Sequence, residues 1–180
     1  MTKALIGFCD AVDWLNKKLG DLANWLVLVA CVISAGNALI RYLFSASSNA
    51  WLEIQWYLFA GMVMLGASYT LKMNEHVRVD ALYAHYGSRA RLWLDLVGGI
   101  LFLLPMTVIV GWFSWPMVAS SYEIHEVSSN SGGLLRWPVK ILVPIGFLLL
   151  TLQGLAEIVK RGLALAGAID FDAKYEKPLQ

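Results

Sequence analysis

The sequence predicts an all-α integral membrane protein with four transmembrane helices, an N-terminal amphipathic interfacial helix and both termini in the cytoplasm. Three observations lead to this fold class. Of the 180 residues, 58% are hydrophobic and 15% are charged, whereas a soluble domain usually carries about 25% charged residues. Four apolar runs are long enough to cross a hydrocarbon core of about 30 Å as helices. Eleven of the fourteen Lys and Arg residues fall on one predicted side of the membrane.

The first segment, residues 1–21, predicts a helix that lies along the membrane surface. Its apolar residues recur at three- and four-residue spacing, as an amphipathic helix requires: Leu5, Phe8, Val12, Leu15 and Leu19. This stripe favours contact with lipid or with a neighbouring protein. The alternative is an amphipathic cap that packs on the helix bundle.

Residues 22–162 predict a four-helix membrane bundle. Its helices are expected at about 22–44, 51–71, 92–119 and 139–159. Helices are the expected form because an isolated strand would leave its backbone amides without partners in lipid. The third run is long enough to tilt or to bend at Pro105. Residues 163–180 predict a cytoplasmic tail.

Lys and Arg residues set the predicted orientation. Eleven of them lie in the N-terminal segment, between the second and third helices, and after the fourth helix. The remaining three are Arg41, Arg136 and Lys140. Cytoplasmic loops are enriched in Lys and Arg, so both termini are predicted to be cytoplasmic, and residues 120–136 are predicted to lie on the outer side.

Ionisable residues within the predicted spans lie near helix ends, where they can reach the headgroup region. Arg41 and Glu53 are predicted near the same surface and have opposite charge, so a salt bridge between them is the leading interpretation. A contact of Arg41 or Glu53 with another subunit or with lipid is the alternative. Two further pairs have the i,i+4 spacing of ion pairs: Glu157 with Arg161, and Arg91 with Asp95.

Small and polar residues predict close contacts between helices. The small residues are Ala60, Gly61, Gly66, Ala67, Ser68, Gly98 and Gly99. Their spacing leaves open whether they pack within the chain or against a partner. Interhelical hydrogen bonds are expected from Asn24, Ser34, Asn37 and Thr70.

No catalytic, cofactor-binding, substrate-binding or metal-binding residue is predicted, and the chain is not expected to be an enzyme. His76, His85 and His125 fall in predicted loops, whereas a membrane haem needs ligands that face one another inside a bundle. His76 and Asp80 alone would make a weak metal site. The net charge of +1 gives no support for nucleic-acid binding.

An ordered set of segments resembles the DctQ-type small membrane subunit of tripartite ATP-independent periplasmic (TRAP) transporters. It comprises RYLF at the end of the first helix, then Trp51 and Glu53 at the start of the second, then EHVRVDALY. SRARLWLDL follows before the third helix, and SGGLLRWPVKILVPIGFLLLTLQGLAE runs through the fourth. The resemblance covers about residues 22–162.

This resemblance implies a component of a transporter in the bacterial inner membrane. In the family, a periplasmic binding protein captures an organic acid and delivers it to a large membrane subunit. The large subunit holds the substrate and sodium sites and moves them by an elevator-like motion. The small subunit would then brace the large subunit, help to dock the binding protein, and contact membrane lipids.

Particular residues are expected to serve these contacts. Expected structural or subunit contacts are Arg41, Trp51, Glu53, His76, Arg78 and Asp80. The periplasmic loop residues expected to face the binding protein are Glu123, Glu126 and Arg136. Contacts with lipid headgroups are expected at Arg41 and Lys140.

Two other functions remain open at this point. The first is an autonomous small carrier or channel formed by self-association, with Arg41, Glu53 or Asn37 lining a pathway. The second is a membrane anchor subunit of an enzyme complex.

Overall fold

The computed structural model describes residues 2–46, 48–76 and 85–169. These residues form long helices joined by short connections, with one isolated antiparallel bridge between Val127 and Leu135. The all-helical part of the predicted fold class is therefore confirmed for the described residues.

Helices α1 and α2 form an antiparallel hairpin. α1 covers Thr2–Phe44, and α2 covers Asn49–Met73. Asn74 ends α2 in the left-handed conformation, with φ of 62°, and its backbone N–H donates to the carbonyl of Leu71 at 3.1 Å. Asn tolerates this conformation better than most residues, so it is a suitable helix stop.

Helix α3 covers Ser88–Glu123 and contains a π-helical turn at Gly99–Leu103. The backbone N–H of Leu104 donates to the carbonyl of Gly99, five residues earlier. Pro105 lies two residues after this turn and has no N–H to continue the usual i→i−4 ladder, so a local change of helix geometry is expected there. The distortion thus lies one turn before the proline at which a bend was predicted.

Helix α4 covers Trp137–Leu165, with Ile141 between its short first part, Trp137–Lys140, and its main part, Leu142–Leu165. Among the described residues, α1, α3 and α4 are long and apolar enough to cross a membrane. α2 has 25 residues, about 37 Å at 1.5 Å per residue, and its crossing stays a prediction. The orientation of the termini also stays a prediction.

Helix α4 is the central element, and each of the other three helices packs against it. α4 packs on α2 around Gly146, on α3 along most of the length of α4, and on the N-terminal half of α1. α1 also packs along α2, whereas no substantial contact joins α3 to α1 or α2 within the described residues. Within the described residues the four helices therefore do not close into a ring. Lipid tails are as apolar as the helices, so no hydrophobic force drives closure in a membrane.

Glycines of α4 allow close approach on two sides of this helix. A Cβ atom at Gly146 would lie 2.9 Å from the Cβ and the carbonyl oxygen of Met64 in α2. At Gly154 it would lie 3.0 Å from Leu103 of α3. Two of the small residues predicted from sequence have the same role, since Gly61 faces Leu26 and Gly99 faces Ile158.

We expect Gly146→Ala to weaken the contact between α2 and α4. The new methyl group would clash with backbone atoms of Met64, which can shift only if α2 shifts with them. Overpacking of this kind costs about 1–3 kcal/mol. Thermal unfolding in mild detergent measures the effect. Gly162→Ala is the matched control, because a Cβ at Gly162 of the same helix meets nothing within 4 Å. Equal unfolding temperatures for the two variants would contradict the close approach.

The N-terminal segment is continuous with the first membrane helix, because α1 runs through the predicted boundary at residue 21. Its buried face consists of Cys9, Val12, Asn16, Gly20 and Ala23. Of the predicted apolar stripe only Val12 is buried, whereas Leu5 and Phe8 are each 38% exposed. The segment thus packs on the bundle through a small and polar face, and most of its large apolar side chains point away.

Candidate functional site

Glu53 lies near the start of α2 and binds the connection between α3 and α4. Its side chain is 3% exposed. The hydroxyl of Ser128 and the side-chain amide of Asn130 donate to Oε1, the latter at 2.9 Å. The backbone N–H of Leu134 donates to Oε2 at 2.7 Å. One carboxylate therefore accepts three hydrogen bonds from a single connection.

That connection, residues 124–136, forms a small hairpin that we call the Glu53 hairpin. Beside the bridge between Val127 and Leu135, the N–H of Ser128 donates to the carbonyl of Leu134 at 2.9 Å. Gly132 has φ of 70°, a conformation that favours glycine. A Cβ at Gly133 would lie 2.5 Å from the Cβ of Ser128. The sequence SNSGG thus supplies the residues that a tight turn at this place requires.

Further bonds attach the Glu53 hairpin to the helices on both sides. Asn49 donates from its side-chain amide to the carbonyl of Ser131 at 3.0 Å, and the hydroxyl of Tyr57 donates to the carbonyl of Leu135 at 2.7 Å. The ammonium of Lys140 donates to the carboxylate of Glu126. This bond lowers the pKa of Glu126 below its ordinary value. The hairpin is therefore attached to α2 and α4 by side chains as well as by the chain itself.

The salt bridge predicted between Arg41 and Glu53 is wrong. Both carboxylate oxygens of Glu53 accept hydrogen bonds from the Glu53 hairpin, and Arg41 is exposed, without an ion pair among the described residues. A loop whose backbone N–H and hydroxyl groups converge can satisfy a carboxylate without a cation. Opposite charge and similar depth were therefore insufficient grounds for the pair.

The other predicted contact residues lie at two ends of the molecule. Trp51, in the first turn of α2, is 48% exposed, and His76 is exposed just after the end of α2. Arg78 and Asp80 lie outside the described residues. Arg41, Trp51 and His76 have side chains available to a partner, and their roles as subunit contacts stay predictions.

The residues predicted to face the binding protein lie in or beside the Glu53 hairpin. Glu123 is the exposed last residue of α3, and Glu126 is half-buried against Lys140. Arg136 is also half-buried, and its guanidinium lies 3.4 Å from the hydroxyl of Ser128. Lys140 is engaged by Glu126, and its contact with a lipid headgroup stays a prediction.

A second polar cluster joins α1, α2 and α4 near the helix ends that lie away from the Glu53 hairpin. The side-chain amide of Asn16 donates to Oε1 of Gln153 at 2.6 Å, and the hydroxyl of Ser68 donates to Oδ1 of Asn16 at 2.8 Å. All three residues have an exposed fraction of 0%. Buried amides and hydroxyls are costly unless they are hydrogen-bonded, so this set specifies one register for three helices.

Charged residues continue the cluster toward the ends of the helices. Lys160 bridges Asp13 of α1, with Nζ to Oδ2 at 2.7 Å, and Glu157 of its own helix, at 2.9 Å. Arg161 then pairs with Glu157 and, at 3.2 Å, with Asp95 of α3. We call the two sets together the Lys160 network: Asp13, Asn16, Ser68, Asp95, Gln153, Glu157, Lys160 and Arg161. The i,i+4 pair of Glu157 with Arg161 is confirmed.

Most contacts of the Lys160 network were not predicted from the sequence. Asp13 and Asn16 lie off the apolar stripe of residues 1–21, and Gln153 lies within the predicted apolar run at 139–159. The expected hydrogen bond from Thr70 is made within its own helix, to Gly66, and Asn24 and Ser34 are exposed. The available signal was the periodicity of Cys9, Val12, Asn16, Gly20 and Ala23, which form one face of small and polar residues.

The geometry of both sites suits structural support. In the Lys160 network the acids face cations or an amide donor, because Gln153 also donates to Asp13 and Glu157, at 3.0 Å each. Among the described residues no group of three or more His, Cys, Asp or Glu is arranged to hold a metal ion. The expectation that the chain needs no cofactor stays a prediction.

Comparison with known proteins gives one match. Residues 27–162 match the family model described as tripartite ATP-independent periplasmic transporters, DctQ component. This range includes α2, α3, most of α4 and the C-terminal part of α1. No curated protein and no solved structure matches the chain.

Proposed function

Because the chain belongs to the DctQ family of TRAP transporter components, we propose that it is the scaffold subunit that braces the large membrane subunit. A DctQ component works with a large membrane subunit and a periplasmic binding protein, and it is a transporter component of the bacterial inner membrane rather than an enzyme. The finer points are proposed: the bracing role, help in docking the binding protein, and uptake of an organic acid coupled to sodium.

The observation that carries the proposal is the way α4 is held by all three other helices. Asn16 of α1 donates to Gln153 and accepts from Ser68 of α2, and Arg161 donates to Asp95 of α3. A substrate site would need polar groups that a ligand can reach. Here the polar groups of the Lys160 network bond to one another, which favours a rigid support over a moving carrier.

Uptake into liposomes tests this proposal. We expect vesicles that contain this chain alone to accumulate no organic acid. Vesicles that also contain the large subunit should show sodium-dependent uptake when the binding protein is added. Uptake or ion leak through this chain alone would favour the autonomous carrier or channel and would contradict the scaffold role.

The Glu53 hairpin is proposed to lie on the periplasmic side, where it could contact the binding protein. We expect a cysteine placed by Ser129→Cys to react with a membrane-impermeant thiol reagent in intact spheroplasts, because Ser129 is exposed on the hairpin. The enrichment of Lys and Arg on the cytoplasmic side gives the reason, since most of these residues lie toward the helix ends away from the hairpin.

The control for this labelling is Lys17→Cys, at an exposed position of α1 on the other side of the proposed membrane. It should react only after the inner membrane is broken. Both variants are labelled in a background that lacks Cys9 and Cys31. The reverse pattern of labelling would invert the proposed topology.

A further inference from the structure

Helix α1 has an exposed face unlike the exposed faces of the other long helices. Within 22–44, the exposed side chains include Asn24, Ser34 and Arg41. Within 51–71, 92–119 and 139–159, all of which are described, every exposed side chain is aliphatic, aromatic, Met or Pro. Exposed amide, hydroxyl and guanidinium groups at these depths are therefore confined to α1.

These polar residues lie on one side of α1, together with small residues. At 100° per residue they occupy about a third of the helix circumference. We call the exposed polar and small residues of this side the α1 polar face: Asn24, Cys31, Ser34, Ala35, Ala38 and Arg41; Val27 and Tyr42 are exposed on the same side. The other side of α1 packs on α2, where Leu26 lies 3.1 Å from the Cβ position of Gly61.

Lipid is a poor neighbour for the α1 polar face. Hydrocarbon offers no hydrogen-bond partner to an amide or a hydroxyl, and polar side chains in membranes usually face protein or a water-filled cavity. Cys31, Ala35 and Ala38 are small enough to let another helix backbone approach closely. α3 provides the contrast, because its exposed residues in this depth range include Phe102, Ile109 and Trp112 and suit contact with lipid.

We propose that a transmembrane helix of the large membrane subunit covers the α1 polar face. This inference rests on the proposed function, and it assigns the face of this chain that makes the contact. The partner helix is expected to present hydrogen-bonding groups opposite Asn24 and Ser34. Near Arg41 it is expected to present a carboxylate or a free carbonyl.

A second copy of this chain fits the face less well. A two-fold axis along the membrane normal places equal depths of two copies side by side, so Arg41 would face Arg41. The carboxylate at the same end of the hairpin of helices, Glu53, already accepts three hydrogen bonds. The charge on Arg41 therefore favours a different protein as the occupant.

Site-specific photo-crosslinking tests the assignment in cells that contain the whole transporter. p-Benzoylphenylalanine is introduced at Ser34 on the α1 polar face and, as the control, at Ile109 on the exposed face of α3. We expect the Ser34 probe to give an adduct with the mass of the large subunit. The Ile109 probe should give none.

A bulky substitution gives a second, independent test. Ala38→Trp should reduce the amount of large subunit that co-purifies by about tenfold or more, because the indole would prevent close approach of the partner helix. Val108→Trp is the matched control at an exposed position of α3. The unfolding temperature of each isolated variant shows whether the chain itself is intact.

The outcomes separate the inference from the proposed function. Crosslinks from Ser34 to lipid or to a second copy, with the large subunit still co-purifying, would overturn the assignment of this face and leave the scaffold role standing. Full co-purification with Ala38→Trp would do the same. Failure of the unaltered chain to recover any large subunit would overturn the scaffold role itself.

Discussion

Glu53→Ala is expected to release the Glu53 hairpin from α2. The substitution removes the acceptor of three hydrogen bonds, from Ser128, Asn130 and the backbone N–H of Leu134. Hydrogen bonds to a charged group are among the stronger ones, and donors left without an acceptor are costly. We expect hydrogen exchange at the Leu134 amide to accelerate by about tenfold or more, and proteolytic cleavage within residues 124–136 to become faster.

Two further variants separate the hydrogen bonds from the charge alone. Glu53→Gln keeps the shape of the side chain but replaces one acceptor oxygen by a donor group, so its effect should be intermediate. Glu123→Gln removes an exposed carboxylate close to the same hairpin and should leave exchange at Leu134 unchanged. Exchange rates in Glu53→Ala equal to those of the unaltered chain would show that the turn sequence alone holds the hairpin.

Lys160→Met is expected to destabilise the chain by about 1–3 kcal/mol, below the range for breaking a fully buried ion pair, because this pair is only partly buried. Lys160 lies between Asp13 and Glu157, at 2.7 Å and 2.9 Å, and its side chain is 17% exposed. Without the ammonium, two partly buried carboxylates would face each other without that cation. Thermal unfolding in detergent measures the loss, and proteolysis should show that the N-terminal part of α1 detaches first.

Lys17→Met is the control for this variant, since Lys17 is an exposed lysine of α1 close in sequence to Asp13. It should change the unfolding temperature little. Asp13→Asn together with Lys160→Met completes a double-mutant cycle. If the effects of the two substitutions simply add, Asp13 and Lys160 are not coupled and the proposed role of the Lys160 network in fixing α1 is wrong.

The positions of the long helices followed from the sequence, but their ends did not. The predicted runs at about 22–44 and 139–159 became Thr2–Phe44 and Trp137–Leu165. An apolar run ends where the hydrocarbon ends, whereas a helix continues as long as its backbone bonds and side-chain contacts are satisfied. Asp13 of α1 and Lys160 of α4 form an ion pair outside both apolar runs, and the sequence alone does not indicate this pairing.

The candidate sites were also only partly predictable from the sequence. Glu53 was singled out because a carboxylate at the start of an apolar helix needs a partner. Its partners were missed because they include the backbone N–H of Leu134, which carries no signal in the residue types. Gln153 was missed for a different reason: an isolated amide in an apolar run has no visible function until Asn16, 137 positions away, is brought beside it.

The pairs of helices that pack together were also not predictable from the sequence. Apolar runs and small residues indicate that helices pack, but they do not indicate which pairs meet. Gly146 and Gly154 lie on different sides of α4 and face Met64 and Leu103, respectively. This arrangement leaves α1 and α3 at the edges, each with an exposed face, as a subunit that supports a larger neighbour would need.

Affinity purification of the tagged chain from its native host in mild detergent tests the scaffold role most directly. The scaffold account predicts that a large polytopic membrane protein is recovered in about equal amount, and that Ala38→Trp reduces this recovery while Val108→Trp does not. Recovery of this chain alone, monodisperse and able to conduct or transport in liposomes, would contradict the account.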